Sequence, residues 1–354
     1  MVGRIALVLV SVAACLLALE LGLRLVLQGP QGLIEWPNIV RYERVSIRAY
    51  SAKRAEPHPV LGFVGLPNYR SPGFNFDERG LRVTPTLPYI RLKEPPILAV
   101  GGSFTLGDEV EDHETMPTQL QAAIDRRVIN AGMSAYGLDQ MVLRAEIMVG
   151  ELAAKRRTPL AIVLSFGADN LRRSEMSRVW GIEKPYFELV NGRLELRNVP
   201  VPPSPDPATT LDFWQRLLGR SLLVDFVLRR LRFQYEWALD HVRVLPRGEG
   251  ARLACPLFKR LAALGVPVLV VVEYDPYLWT DPPYMREQKQ LTDSVLRCAE
   301  AAGFATLDIF TQIDELMKTE GRAHLYTQGN HFTAAGHALA SRNIADELRR
   351  MGAR

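Results

Sequence analysis

The sequence predicts a three-layer α/β/α domain around a central sheet of five parallel strands, preceded by one membrane-spanning helix. Three observations lead there. Short apolar runs alternate with amphipathic stretches from Pro96 onward, the pattern of strand and covering helix. Two of the runs, Ile97–Val100 and Leu160–Phe166, are apolar throughout except for Ser165, as strands buried on both faces must be. Ahead of them lies a 23-residue stretch, Ile5 to Leu27, that is apolar except at Ser11, Glu20, Gly22 and Arg24.

That first stretch reaches roughly 35 Å as a helix, enough to cross a bilayer with some tilt. Glu20 and Arg24 stand at i, i+4 near its far end, where they can pair and reach for the interface. Val12-Ala13-Ala14-Cys15 has the look of a lipobox, but the apolar run continues past Cys15. No A-x-A site followed by polar residues marks a cleavage point. The reading is therefore an uncleaved anchor over residues 1–27, rather than a cleaved signal or a lipoprotein. Arg4 is the only charged side chain before the span, which favours a cytoplasmic N-terminus. The rest of the chain then lies on the periplasmic, extracytoplasmic side of an inner membrane, as a single-pass protein.

Residues 28–95 are rich in Pro, Gly and Arg and read as an irregular lead-in that packs on the domain. The domain itself is expected over 96–354. Ile97–Val100 is its first strand, Thr115–Asp125 a helix, Val128–Asn130 a strand, Leu138–Lys155 a helix and Leu160–Phe166 a strand. The alternation breaks over about 171–250, which reads as an insertion. Within it Tyr186–Val190 and Arg193–Leu196 flank Asn191-Gly192, a type I′ hairpin signal. Leu211 to Val242 reads as one or two amphipathic helices whose Trp214 and Trp237 are expected to pack inward. Helix Arg252–Leu264, strand Val266–Val272, helix Met285–Ala302, strand Ala305–Leu307, helix Phe310–Thr319 and helix Ala334–Arg350 complete the pattern.

Composition narrows the function classes. Apolar residues at 47% and charged ones at 23% suit a globular protein rather than a disordered one. The net charge of +4 comes from Arg scattered among Asp and Glu, with no basic stripe and interleaved aromatics, so no nucleic-acid partner is expected. Cys15, Cys255 and Cys298 make no disulfide framework; a Cys255–Cys298 pair is open to the fold, but buried free thiols are the expectation.

The chemistry gathers at Gly101-Gly102-Ser103, directly after the first strand. A serine delivered there sits at the mouth of the sheet beside the backbone N–H groups that open the next helix. It needs a base, and the chain offers His58, His113, His241, His324, His331 and His337. His331 follows the loop Gln328-Gly329-Asn330 and opens the last helix, so it can return to the carboxyl edge of the sheet. His337 lies about 240° further round that helix, which excludes a shared metal. Neither a metal nor a cofactor is called for.

Four segments in this order resemble the SGNH, or GDSL-type, serine esterases and acyltransferases. Gly102-Ser103-Phe104-Thr105-Leu106-Gly107 is similar to the first motif, Asn130-Ala131-Gly132 to the second, Gly167-Ala168-Asp169-Asn170 to the third, and His331-Phe332-Thr333-Ala334-Ala335-Gly336-His337 to the last. His58-Pro59-Val60-Leu61-Gly62, Pro67-Asn68 and Gly80-Leu81-Arg82 resemble the lead-in of membrane-anchored bacterial members. The resemblance implies a flavodoxin-like sheet, Ser103 as nucleophile and His331 as general base. It implies an oxyanion hole from the N–H groups of Ser103 and Gly132 and the amide of Asn170. Three positions depart from the family. Gly102 replaces an aspartate, Asp169 and Asn170 are exchanged, and Gln328 stands where an aspartate would orient the imidazole. Asp169, Gln328 and Asn330 are the candidates for that orienting role. The implied activity is hydrolysis of acyl esters, with O-acetyl groups on extracytoplasmic glycans as the favoured substrate. A small-molecule ester substrate, acyl transfer to a surface polysaccharide, and a catalytically weak binding or assembly subunit are the alternatives. The membrane is the only partner indicated besides the ester; no protein partner is specified.

Overall fold

The computed structural model describes residues 1–353. The chain forms two compact units. One comprises Met1–Lys53, Arg178–Glu183 and Pro203–Arg243; the other comprises Arg54–Ser177, Lys184–Pro202 and Val244–Arg354. The lead-in expected as one segment is thus divided, with 28–53 in the first unit and 54–95 in the second. Much of the expected insertion belongs with the N-terminal helix.

The first unit begins with α1 (Val2–Gln28), the one helix among the described residues long and apolar enough to cross a membrane. Most of its large apolar side chains are exposed, from Ile5 to Leu27. Glu20 and Arg24 pair at 2.6 Å as the i, i+4 spacing predicts, but they do not reach for solvent. Both are buried, because polar backbone from elsewhere in this unit closes over them. Residues 39–52, expected to be irregular, form α2 (Ile39–Ala52), capped by the Asn38 side chain accepting from the Arg41 N–H at 2.8 Å. The sequence pattern conceals this helix because its inner face carries Arg44 beside Val40. Arg44 is buried by an ion pair with Asp240 at 3.2 Å, which replaces the apolar residue that helical periodicity looks for.

The second unit holds the sheet. Its first strand β1 (Ile97–Gly101) runs into a single-turn helix α3 (Ser103–Leu106), closed by Gly107 at φ 81°. Then come α4 (Met116–Ile124), β2 (Val128–Asn130), α5 (Leu138–Ala154), β3 (Ala161–Phe166) and α6 (Ala168–Arg173). The hairpin Tyr186–Val190 with Arg193–Arg197 turns at Asn191 (φ 50°) and Gly192 (φ 77°), both left-handed as a type I′ turn requires. After α7 (Phe213–Leu218) and α8 (Leu222–Arg230) in the first unit, the chain returns with α9 (Ala254–Ala262), β4 (Val268–Val272) and α10 (Pro282–Ala301). It closes with β5 (Ala305–Asp308), α11 (Phe310–Thr319) and α12 (Ala334–Arg350).

The strand order is β2-β1-β3-β4-β5 and every neighbouring pair is parallel. All residues of β1, β3 and β4 are buried, because helices cover both faces. The order reverses between β1 and β3, so a crevice opens at their carboxyl ends, and Ser103 stands two residues beyond β1 there. Cys255 and Cys298 are joined as a disulfide between α9 and α10, not held as free thiols. Their helices pack side by side and bring the two Cα atoms to 4.7 Å, a proximity that a sequence separation of 43 conceals. Cys15 is free.

Candidate active site

The serine and the histidine meet. Ser103 sits at the first position of α3, and His331 precedes the N-cap of α12 by two residues; its Nε2 lies 2.9 Å from Ser103 Oγ. The other ring nitrogen, Nδ1, lies 2.8 Å from Oε1 of Glu109. Hydroxyl, imidazole and carboxylate therefore form one hydrogen-bonded chain, assembled from the loops after β1 and before α12.

Glu109 is held for that position. Its Oε2 accepts from the Gly329 N–H at 3.2 Å and from the Thr327 hydroxyl. Burial pushes its carboxyl up, but the hydrogen bonds from Thr327, His331 and Gly329 outweigh it and hold the group below its ordinary range. A Cβ on Gly329 would fall 1.9 Å from Glu109 Oε1, so only glycine leaves room for the carboxylate. Glu109 itself has φ 70°, a left-handed conformation that costs a residue with a side chain on the order of 1 kcal/mol or more. The loop that bears it is clamped by Arg82, whose buried guanidinium pairs with Asp112 at 2.6 Å and donates to the carbonyls of Gly107 at 3.1 Å and Val110 at 2.9 Å.

The oxyanion candidates lie on the same edge. Gly132 packs against α3, where an added Cβ would come 2.4 Å from the Leu106 nitrogen, and its N–H donates to Asn130 Oδ1 at 3.1 Å. Asn170 folds back to the start of α6, its Oδ1 accepting from the Gly167 N–H at 2.8 Å. Its Nδ2 donates to the Tyr136 carbonyl at 2.8 Å and lies 2.7 Å from where a Cβ on Gly102 would be. The amide thus stands beside the residue that precedes the serine. Asp169 turns the other way, into ion pairs with Arg172 and Arg173.

Residues 99–339, more than half of the chain, match the model of the GDSL-like Lipase/Acylhydrolase family. The chain belongs to this GDSL-like family. It is an acyl-ester hydrolase by that membership. No curated protein matches the sequence. Among solved structures it is similar to LAE5, an alpha/beta hydrolase from the metagenome of Lake Arreo, at 15% identity over 75% of this chain and 98% of that one, TM-score 0.45. It is similar to a lipase/acylhydrolase from Enterococcus faecalis at 16% identity, over 72% of this chain and 96% of that one, TM-score 0.40. A catalytic mutant of Axe2, an acetylxylan esterase from Geobacillus stearothermophilus, is also similar at 16% identity, over 75% and 96%, TM-score 0.42.

In this GDSL-like chain the three departures acquire a geometry. None of the three residues expected to orient the imidazole touches it. Gln328 is exposed. Asn330, at φ 74°, donates to the Tyr277 hydroxyl at 3.2 Å and accepts from Arg322 at 2.7 Å. Asp169 is committed to arginines, and both ring nitrogens of His331 are taken by Ser103 and Glu109. The carboxylate that sequence reasoning placed before the histidine comes instead from the loop after α3. Nothing local in the sequence marks Glu109: Asp108, Glu109, Glu111, Asp112 and Glu114 crowd one stretch, and no spacing singles out the one that faces the ring. Among the described residues no group of three or more His, Cys, Asp or Glu side chains could hold a metal ion. His337 lies fully buried, accepting from the Met116 N–H at 3.2 Å; burial and its cationic neighbours push its imidazole down to about 3.

Proposed function

We propose that this protein is a membrane-anchored serine esterase working outside the cytoplasm on small acyl esters of hydroxyl-rich alcohols, O-acetylated glycans above all. The observation that supports it most is the chain Ser103 Oγ, His331 Nε2, His331 Nδ1, Glu109 Oε1, with links of 2.9 and 2.8 Å. In this reading Ser103 Oγ attacks the acyl carbonyl carbon while His331 Nε2 takes its proton. Glu109 holds the ring by Nδ1–H and stabilises the imidazolium. The carbonyl oxygen becomes an oxyanion beside the N–H of Ser103 and the second N–H of the Asn170 amide, with the Gly132 N–H, shared with Asn130 Oδ1, on the same edge. Collapse breaks the ester bond, and the proton on Nε2 passes to the departing alkoxide. Water then attacks the acyl-serine with His331 as base, releasing the acid and restoring the serine. A sugar hydroxyl in place of that water makes the same steps an acyl transfer.

The remaining parts rest on separate observations. Glu20 and Arg24 are built into the first unit, a role that argues against removal of α1 as a signal. The Cys255–Cys298 disulfide suits an oxidising compartment, as expected outside the cytoplasm. Asn330, Tyr277 and Arg322 form a polar rim next to His331, suited to an alcohol rich in hydroxyls.

The test uses the full chain in detergent, since truncation at residue 28 would remove Glu20 and Arg24. Wild type is expected to label with a fluorophosphonate and to turn over an aryl acetate, and Ser103→Ala is expected to do neither. Equal labelling and turnover by the two proteins would defeat the assignment. Product analysis with an added oligosaccharide distinguishes free acetate from acetylated sugar.

A further inference from the structure

The first unit carries an apolar surface that neither the span nor the catalytic chemistry explains. On α7, Phe213, Trp214 and Leu217 are 67%, 60% and 56% exposed, and on α8 Phe226 is 57% exposed. Trp214, expected to pack inward, faces out instead. Positions 213, 214 and 217 lie on one side of their helix. Large apolar side chains grouped this way mark a surface made to be covered.

What covers it is indicated by how these helices are tied to α1. The Glu20 carboxylate accepts from the Ser221 hydroxyl at 2.8 Å and from the N–H groups of Leu222 at 3.0 Å and Leu223 at 2.8 Å, which caps the start of α8. Arg24 donates to the Arg220 carbonyl and to those of Gly32 at 3.2 Å and Glu35 at 3.1 Å. The Ile39 N–H reaches the Gly219 carbonyl at 2.7 Å, closing the turn between α7 and α8 onto the chain leaving α1. Glu20 and Arg24 lie about 12 and 6 Å from the end of α1 at 1.5 Å per residue. A helix that has crossed the hydrocarbon is emerging at that level. Ile34, just past α1, is 82% exposed at the same exit. Residues 211–233 hold five arginines against two aspartates, with aromatics between them. Aromatic and basic side chains together are the composition of the headgroup layer, the first matching its polarity gradient and the second its anionic lipids.

We propose that α7 and α8 form a platform lying in the outer headgroup layer of the bilayer around the exit of α1, with Phe213, Trp214, Leu217 and Phe226 inserted among lipids. The proposal rests on the reading of α1 as an uncleaved span. The platform holds the first unit flat on the lipid surface, so the anchor is a fixed mount rather than a tether.

The experiment takes the full chain with Cys15→Ala and attaches a nitroxide at Leu217→Cys, at Phe226→Cys, or at Arg193→Cys in the exposed hairpin turn. Each is reconstituted into vesicles of phosphatidylethanolamine and phosphatidylglycerol, and collision rates with oxygen and with a water-soluble nickel chelate are compared. Labels at 217 and 226 are expected to favour oxygen several-fold, and the label at 193 the chelate. Phe213→Cys serves as a further position should one variant fail to fold. Labels at 217 and 226 that behave like 193 overturn the platform. Immobile labels shielded from both reagents, in chains that crosslink to one another, overturn it in favour of a second copy. An alkaline carbonate wash reports separately on the anchor. Release from the vesicles defeats the span and the platform together, whereas retention with water-exposed labels defeats the platform alone.

Discussion

Glu109 shows how much one side chain decides. A serine and a histidine 2.9 Å apart form a weak base pair unless something fixes the tautomer and the charge that develops. Glu109→Gln keeps the shape and removes the charge, so kcat is expected to fall by up to ~10⁴ with little change in stability. Because the carboxyl is held below its ordinary range, it stays ionised in mild acid, and its contribution is lost only as pH falls through that lowered value. Gln328→Asp, which would restore the family residue, is expected to leave wild-type rates unchanged, since position 328 is exposed and Nδ1 already has its partner. A rate gain from that variant would show that Glu109 does not orient the ring. Gly102 makes a similar case. It has an ordinary φ of −88°, so a side chain is conformationally acceptable there. The added Cβ would nevertheless press on the Asn170 amide at 2.7 Å. Gly102→Asp, again a return to the family residue, is expected to displace that amide and lower kcat on the order of 10²- to 10³-fold, the usual effect of losing one oxyanion donor. The check is kcat on an aryl acetate alongside an unchanged circular dichroism spectrum.

Elements set which residues can meet. The sheet brings the carboxyl ends of β1 and β3 to one edge, and the helices that open directly after them, α3 and α6, carry Ser103 and Asn170. The alternating pattern from Pro96 onward predicts these elements closely, because the strands are short, mainly apolar runs and the covering helices between them are amphipathic. Helices whose inner faces use charge, such as α2 with Arg44, escape that pattern. The helices α9 and α10 show another limit. Each reads as amphipathic, but nothing in either says that Cys255 and Cys298 face each other. Cys255→Ser in the full chain is expected to lower stability by about 2–4 kcal/mol, because the bond closes a loop in the unfolded chain and so restricts its entropy. The measurement is thermal unfolding with and without reductant; a midpoint that does not move would show the bond to be absent or without effect.

At the scale of the whole molecule, buried ionisable groups tie stability to pH. Glu273 lies fully buried at the end of β4, and burial pushes its carboxyl up to about 8, against the opposing hydroxyls of Ser165 and Thr105. The folded state therefore keeps a proton that the unfolded state gives up above the ordinary value of 4.5. The associated stability is full below that value and is lost as pH rises from there to about 8. Glu273→Gln removes the loss. It is expected to raise stability at pH 8 relative to pH 5 by on the order of a few kcal/mol, each pKa unit being worth about 1.4. Urea midpoints at the two pH values test this, and an equal shift at both would refute it. His337 acts in the opposite direction. Its imidazole titrates only near 3 when folded, so stability falls as pH drops from the ordinary 6.5 toward that value.

The sequence by itself determined the apolar span, the order and kind of the sheet elements, and the pairing of a strand-end serine with a histidine opening the last helix. These depend on local periodicity and on short motifs, which neighbours in the chain specify. Only the tertiary structure decided which carboxylate serves the histidine, since Glu109 and His331 are 222 positions apart and meet only when two loops close on one sheet edge. It also decided that Asn170 rather than Asp169 stands beside Gly102, and that two distant cysteines bond. The physical reason is common to all three. A side chain's direction is set by packing against residues remote in sequence, and no local spacing records it.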